Sequence, residues 1–558
     1  MKQKNIVLIE CNSTSISFLN DIKRRNCQPI VIQTKLGPEM EKLRDASTSR
    51  YPKGVIIVKA PNSYKKLLEL VRSYNPIVVL PGTEATVALT CHIQEDLGLP
   101  GNQSKNINLY IHKDAMHEAL KKAGIRYIRG ENVKNATEAV KAYRKFNGAE
   151  VVLKPPHGAG AQCVYFCKSE EEVKRRANEF FNTSNVFGEE NKELLVQERI
   201  IGEEYVVNCM SRNGAHRVLS VWKYQLIQTP DGRYIFGNIE SVNELEIGAT
   251  DIINYTYKML DALKYYNGPS HNEFLIDEKG PVLLELNARV MGGPLYDYFV
   301  TPIFAHHDTD QILEDLLFPD NFDNKALKPY TTKKKGYIKY IVVPRDLDVK
   351  SLPIINIAKR LRSFLEISYN ADDRPSLTKT VDFETTGGAI YLLHEDYNIA
   401  KEDNDFLHMV ETLYFDVLFE DKKESAIKKY KSNNVDVQNI VNYCQKRATT
   451  LVLNDDDKIK ADFVVVTSLD NVEKQVDMFE CGIINLTKEH KNIRRDVLIE
   501  KLLVFMEKIR TGGTVYISEA TFNIFPYGSK GLELLLKVAG YQLDIAPMYF
   551  HFMIANKK

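Results

Sequence analysis

No stretch of the 558-residue chain reaches the ~18 apolar residues that a bilayer-spanning helix needs. The basic N-terminus MKQKNIVLIECNSTS carries only a short apolar run before Glu10, too short for the core of a secretion signal, so the chain reads as cytoplasmic. There is no charge excess either: 74 Lys and Arg balance 74 Asp and Glu, and no net field calls for nucleic acid or an anionic membrane. The eight cysteines (Cys11, Cys27, Cys91, Cys163, Cys167, Cys209, Cys444 and Cys481) include no CxxC pair. Reduced, buried thiols are expected rather than zinc ligands or disulfides. The phosphate-binding signatures GxGxxG and GxxxxGK[ST] are both absent; the first apolar run leads into Glu10-Cys11-Asn12-Ser13-Thr14 instead of a glycine turn, which argues against a dinucleotide site. No GxSxG or Cys/His pairing suggests a covalent nucleophile, and no internal repeat or low-complexity tract is evident.

With 44% hydrophobic and 27% charged residues the composition is that of a globular protein, long enough for roughly three to five structural units. The first hundred residues alternate strand-length apolar runs (NIVLIE, QPIVIQT, GVIIVKA, IVVLPG) with amphipathic stretches, a parallel α/β layer of Rossmann-like topology. From Ile111 follow the helices HKDAMHEALKKAG and ATEAVKAYRKF, the strands EVVLKP and CVYFCK, and a helix opening at Ser169 with Glu170, Glu171 and Glu172 in its first turn, where acidic residues suit the dipole. Leu194 to Asn287 is strand-rich and closes on a hairpin at Asp277-Glu278-Lys279-Gly280, making an α+β unit. The pattern loosens beyond Pro302, a basic joint KPYTTKKKG follows, and from about Lys422 helix and strand alternate again.

The densest chemistry lies in HNEFLIDEKGPVLLELNARVMGG. A hairpin centred on Lys279 puts Glu273 opposite Glu285, with Cβ atoms about 4.5–5.5 Å apart. Two carboxylates so placed repel unless a cation, a shared proton or a basic side chain neutralises them. Period two sets Asn287 and Arg289 on the face of Glu285 and turns Phe274, Ile276, Leu284 and Leu286 the other way, so one face is core and the other polar. Hard Mg²⁺ takes carboxylate and amide oxygens and keeps substrate phosphates as further ligands, which fits Glu273, Glu285 and Asn287 beneath a nucleoside triphosphate. A solvated face with Glu–Arg pairing is the plainer alternative.

In EVVLKPPHGAGAQCVYF, Lys154 ends a strand and precedes a loop whose small residues, Gly158 to Ala161, let backbone N–H groups approach a phosphate while the lysine neutralises it. A simple glycine-rich turn explains the same residues. Lys113, at the start of HKDAMHEAL, is a second candidate cation or a plain surface lysine.

In this order the motifs resemble the ATP-grasp superfamily: Lys113 at a helix start, Lys154 before a small-residue loop, VQERIIGEEYVVN as the hinge strand, then the carboxylate hairpin. The resemblance covers roughly residues 1–420 and implies an α/β and α+β multidomain chain: a Rossmann-like preceding domain (1–110), a small lid subdomain (111–190), a large subdomain with a C-terminal extension (191–421) and a tail module (422–558). It further implies that Gln197 and the backbone around Arg199 and Ile200 meet adenine, Glu204 the ribose, and Lys113 and Lys154 the α- and β-phosphates. The loop with Gly158 and Gly160 closes over the triphosphate. Glu273, Glu285 and Asn287 bind Mg²⁺, with Mn²⁺ as an alternative, and Arg289 steadies the transferring phosphoryl group. Gln197 stands where many relatives carry a carboxylate; an amide oxygen still accepts the adenine hydrogen bond. Glu84, in LPGTEATVAL, is expected near the mouth of the site.

NARVMGGPLYDYF looks most like the members that join two free L-amino acids, Gly292 and Gly293 with Arg289 anchoring a substrate carboxylate, although Gly292-Gly293-Pro294 can equally end a strand. Arg217 and Lys223 are offered as further anion partners and Trp222 as pocket wall. The implied reaction is an ATP-dependent carboxylate–amine ligation through an acyl phosphate, catalytic roles falling to Arg289 and Lys154. The implied partners are small-molecule carboxylates and amines, with a homodimer as candidate assembly, and neither nucleic acid nor membrane. A biotin-carboxylase-like carboxylase and a non-catalytic ATP-binding regulator are the alternatives. The tail, with ADFVVVTSLDN, TVYISEA and GYQLDIAPMYFHFMIANKK, is similar to the second half of an S-adenosylmethionine-dependent methyltransferase, but TTLVLNDDDKIK lacks the glycine-rich cofactor loop, so a degenerate packing or docking module is expected.

Overall fold

The computed structural model describes residues 4–158, 163–183, 191–228, 234–244, 246, 248–293, 295–325, 330–343, 346, 353–369, 377–382, 385–419, 450–453, 464–467, 479–484, 486, 495–518, 541–543 and 552–557. The chain divides into two compact units, Met1–Gly336 and Tyr337–Lys558.

The first unit opens with four parallel strands, β1 (Lys4–Ile9), β2 (Cys27–Gln33), β3 (Ile56–Lys59) and β4 (Pro76–Pro81), in the order β3-β2-β1-β4. Continuous apolar runs serve both faces: Ile6 and Leu8 pack with Phe18, Leu19 and Ile22, while Val7 and Ile9 pack with Ile30, Ile32, Leu67 and Val71. The strand order reverses between β1 and β4, where an open parallel sheet leaves a crevice beyond its carboxyl ends. Only glycine fits at the edge of that crevice, since a Cβ on Gly82 would lie 2.0 Å from Glu10 O.

Next comes an antiparallel sheet of β5 (Gly130–Val133), β6 (Val151–Lys154), β7 (Tyr165–Cys167) and β8 (Leu194–Glu198), ordered β5-β8-β6-β7. Its helices start where the sequence places caps: Asn135 Oδ1 accepts from Glu138 N–H at 2.9 Å and Ser169 Oγ from Glu172 N–H at 3.2 Å. Val133, Val151, Leu153, Leu194 and Val196 form one core with these helices. Strand alternation therefore turns Lys154 and Gln197 to the opposite face.

Five longer strands follow, β9 (Glu203–Arg212), β10 (Ala215–Gln228), β11 (Tyr234–Ser241), β12 (Gly268–Asp277) and β13 (Gly280–Asn287), in the order β13-β12-β9-β10-β11. Tyr205, Val207, Cys209, Phe274, Leu283 and Leu286 face a core shared with Met116 and Leu120 of the helix Lys113–Lys122 and with the helix Ala249–Ala262. The hairpin differs from the expected one near its turn. Asp277 pairs with Gly280 around a two-residue turn, so the centre is not Lys279, and a bulge leaves Leu284 without a partner before Glu273 meets Glu285. Leu283 replaces Leu284 as the core residue opposite Phe274 for the same reason.

In the second unit β14 (Lys335–Tyr340), β15 (Phe364–Tyr369) and β16 (Gly388–His394) run in the order β14-β16-β15, with Lys339 paired to Glu411. The remaining strands, β17 (Thr450–Leu453), β18 (Val464–Thr467), β19 (Phe479–Ile484), β20 (Ile509–Ser518), β21 (Tyr541–Leu543) and β22 (Phe552–Lys557), form a sheet ordered β18-β17-β19-β20-β22-β21. Its first four are parallel and β22 is antiparallel to both neighbours. Among the described residues, the cysteines Cys11, Cys27, Cys91, Cys163, Cys167 and Cys209 are free, and no helix is long and apolar enough to cross a membrane.

Candidate functional site

Glu273 on β12 and Glu285 on β13 are cross-strand partners on the face away from the apolar core. Lys113 supplies the cation such a pair requires. Its Nζ lies 2.5 Å from Glu285 Oε2 and donates to Gly158 O at 3.3 Å, while its backbone N–H donates to Pro156 O at 2.9 Å. A lysine at a helix start thus joins the hairpin to the loop after β6. Lys154 ends β6, buried, and Glu204 lies near the start of β9, its charge felt by Lys154.

The charges are tightly interdependent. Burial opposes ionisation of Glu285, but the charge and hydrogen bond of Lys113, then Lys154 and the Asn287 amide, outweigh it and hold the carboxyl at about 2. Burial and the neighbouring Lys113 charge bring Lys154 down to about 8, against the pull of Glu285, Glu273 and Glu204. Burial and repulsion from Glu273 and Glu285 push Glu204 up to about 8. Burial, with Lys154 and Lys113 close by, lowers His117 to about 3, so this imidazole is neutral.

Arg289 reaches the same cluster from the other side. Its Nε is 3.0 Å from Glu84 Oε2, and one terminal nitrogen donates to Val290 O at 2.8 Å. The Asn287 amide donates to Glu285 Oε1 at 3.3 Å and its oxygen accepts from Arg289 at 3.5 Å. Burial raises the Glu84 carboxyl, as does Glu285, against the charges of Arg289 and Lys113. Gly292 and Gly293 follow, and Gly293 has φ +116°, a conformation that L side chains rarely adopt. Its N–H donates to Ser13 Oγ at 2.8 Å and its carbonyl accepts from Thr14 Oγ1 at 2.8 Å. The segments following β1 and β4 both bear on residues 289–293, one through hydroxyls and one through Glu84. In the sequence, the one signal for Ser13 and Thr14 is that ECNST stands where a glycine turn would follow the first strand.

The other candidates divide. Gln197 is 2% exposed, and among the described residues its Nε2 has no hydrogen-bond partner. Ile200 lines a cavity of about 530 Å³ with Arg126, Tyr127 and Asp277. Its neighbour Ile201 is 76% exposed. Gly160 lies outside the described residues. Trp222 is no pocket wall: it is fully buried against Phe299 and Phe304. Arg217 is consumed by buried Asp315, and Lys223 by Glu203 at 2.5 Å, because the helix Asp308–Leu317 and the start of β9 offer carboxylates at those positions.

No group of three or more His, Cys, Asp or Glu side chains arranged to hold a metal occurs among the described residues. The donor set instead fits Mg²⁺, which is satisfied by one or two carboxylates plus phosphate and water oxygens. Glu273 and Glu285 supply the carboxylates and Asn287 an amide oxygen. Gln197, whose Nε2 has no partner among the described residues, would offer a polar group to a base.

Residues 112–293 match the family model described as phosphoribosylglycinamide synthetase, ATP-grasp (A) domain. Dapdiamide A synthase of Enterobacter agglomerans is 23% identical over 354 residues, covering 62% of this chain and 83% of that protein. The 2-oxoglutarate carboxylase small subunit of Hydrogenobacter thermophilus is 25% identical over 210 residues, covering 34% and 40%. Among solved structures, an L-amino acid ligase from Bacillus licheniformis superposes with a TM-score of 0.58 at 16% identity over 73% of this chain and 98% of that one. Carboxyaminoimidazole ribonucleotide synthase of Aspergillus clavatus, complexed with ATP, gives 0.54 at 13% identity, covering 74% and 98%. The fold is shared with ATP-grasp structures, and residues 112–293 match the model of an ATP-grasp domain.

Proposed function

We propose that the protein is an ATP-dependent ligase that activates a carboxylate, that of an amino acid, as an acyl phosphate and joins it to an amine, that of a second amino acid, releasing ADP and phosphate. The observation that carries this reading is the facing pair Glu273 and Glu285 neutralised by Lys113, with Lys154 and Arg289 beside it. Mg²⁺ bound at Glu273, Glu285 and Asn287 supplies charge neutralisation to the phosphates; manganese is the alternative ion. Lys113 and Lys154 hold triphosphate oxygens, Gly158 and Gly160 belong to the sequence segment proposed to close over them, Gln197 and Ile200 meet the base, and Glu204 meets the ribose. The carboxylate oxygen bonds to the γ-phosphorus as the bond to ADP breaks. The neutral amine then bonds to the acyl carbon, phosphate leaves, and the amine proton passes to solvent. Arg289, Gly292 and Gly293 anchor the substrate carboxylate, and Glu84 holds Arg289. The relatives named for dapdiamide synthesis and amino-acid ligation support this substrate class.

We assign 1–110 as the preceding domain, 111–190 as the lid, 191–421 as the large subdomain and 422–558 as a docking or packing module rather than an active methyltransferase. The test is ADP and phosphate release with Mg-ATP against single and paired amino acids, Glu285→Ala as control. Release that needs a pair, with a product one water lighter than the two, supports ligation. Stimulation by bicarbonate instead points to carboxylation, and ATP binding without turnover points to a regulator.

A further inference from the structure

The end of the helix Lys113–Lys122, the exit of β8 and the turn between β12 and β13 enclose a cavity of about 530 Å³. Two arginines tie its walls together. Arg126 donates to both oxygens of Asp277, at 2.7 Å each, and to Gly280 O, which joins the chain after the helix to the hairpin turn. Arg129 closes on Glu198 at the end of β8, its backbone N–H on one carboxylate oxygen at 2.9 Å and its Nε on the other at 2.8 Å. Both acidic side chains of the lining are thus engaged in holding its frame. Two more cations line the cavity, Lys121 and Lys279, and both are exposed. Lys121 has Glu118 of its own helix at 3.9 Å, and Lys279 forms no ion pair among the described residues. Four cationic side chains therefore stand against two acidic ones, and the charges left over are both positive. Ile125, Tyr127 and Ile200, each half-buried, add apolar wall.

We infer that this cavity is a second ligand site, for a small organic dianion: a phosphate monoester with an aromatic or aliphatic body. The lysines are point charges suited to a phosphate dianion, and the apolar wall suits the body attached to it. The volume lies within the range of small-molecule pockets and far exceeds that of a bare phosphate. Alternation along β8 sends Glu198 to the face opposite Gln197, so the cavity opens away from the proposed nucleotide face. Ile200 is shared with the proposed base contacts, and there the two sites abut. The site stands on its own walls; that it is a second one rests on the proposed nucleotide site.

The test is calorimetric titration of phenyl phosphate into the full chain presaturated with Mg-ADP. Phenyl phosphate is expected to bind at least about threefold more tightly than inorganic phosphate, because its ring covers apolar wall. Lys121→Glu combined with Lys279→Glu, at exposed positions that the fold tolerates, should weaken that binding at least about tenfold and leave Mg-ADP affinity within about twofold. Lys154→Met should leave phenyl phosphate affinity within about twofold. No binding of phenyl phosphate by about 10 mM, or binding that the double charge reversal leaves intact, overturns the site. Phenyl phosphate that binds the free protein and is displaced by Mg-ADP overturns its separateness and makes the cavity part of the nucleotide site. If the protein takes up no Mg-ADP, the nucleotide reading fails by itself, and the same titration of the free parent and doubly substituted proteins decides the cavity.

Discussion

The Lys113 ammonium lies 2.5 Å from Glu285 Oε2, so the hairpin carboxylate is already neutralised by a side chain from the helix that begins beside the loop after β6. Lys113→Met leaves Glu285 facing Glu273 and near Glu204 without its counter-charge. Removing one partner of such a largely buried pair is expected to lower stability by about 2 kcal/mol and turnover by at least about a hundredfold. Mg²⁺ with ADP should restore most of the stability, because the ion can replace the ammonium. Thermal unfolding with and without Mg-ADP, beside steady-state kinetics, checks both.

The pH response of the free protein follows from two opposed groups. Glu204 is raised from 4.5 to about 8, so its contribution is full below 4.5 and is lost as pH rises through about 8. Lys154 is lowered from 10.5 to about 8, so its contribution is full above 10.5 and is lost as pH falls through about 8. These two terms together place a shallow stability minimum near pH 8. Melting temperatures measured from pH 5 to pH 10.5 should flatten on the acid side in Glu204→Gln and on the alkaline side in Lys154→Met; unchanged profiles would count against the assigned environments.

Ser13 and Thr14 hold Gly293, each through a hydrogen bond of 2.8 Å, and Ser13 Oγ also donates to Gly293 O at 3.4 Å. Each is worth about 1 kcal/mol, so Ser13→Ala with Thr14→Val is expected to raise the KM of the substrate proposed to bind at the glycine loop by up to about thirtyfold, with the KM of ATP within about twofold. Initial-rate kinetics with each substrate varied in turn decide it, and an effect confined to ATP would place the loop elsewhere.

Gly82 lets the end of β4 lie against the backbone of Glu10, itself at φ +60°. A methyl group there meets a carbonyl oxygen at 2.0 Å, and neither strand can yield without opening the sheet. Gly82→Ala is expected to cost about 3 kcal/mol in chemical denaturation, and to weaken the Glu84–Arg289 contact as the crevice shifts. A variant as stable as the parent would show that the crevice edge relaxes freely.

The amino-acid sequence by itself determined the element pattern and the chemistry of the hairpin. Period-two alternation and the Asp277–Gly280 turn gave a strand pair on which Glu273 opposes Glu285, even though the turn is tighter than a centre at Lys279 allows and a bulge at Leu284 makes up the difference. The glycine gap after β1, the acidic helix starts and the strand-end Lys154 were equally visible, because each depends on neighbours along the chain. What only the tertiary structure decided are the contacts between segments far apart in sequence. Ser13 meeting Gly293, Glu84 meeting Arg289 and His271 standing between Asn208 and Glu273 all depend on sheet order and helix docking. So does the fate of Trp222 and Arg217, which read as site residues until the helices Asp297–Phe304 and Asp308–Leu317 cover them. Periodicity fixes which face a side chain takes, and nothing local fixes what that face will meet.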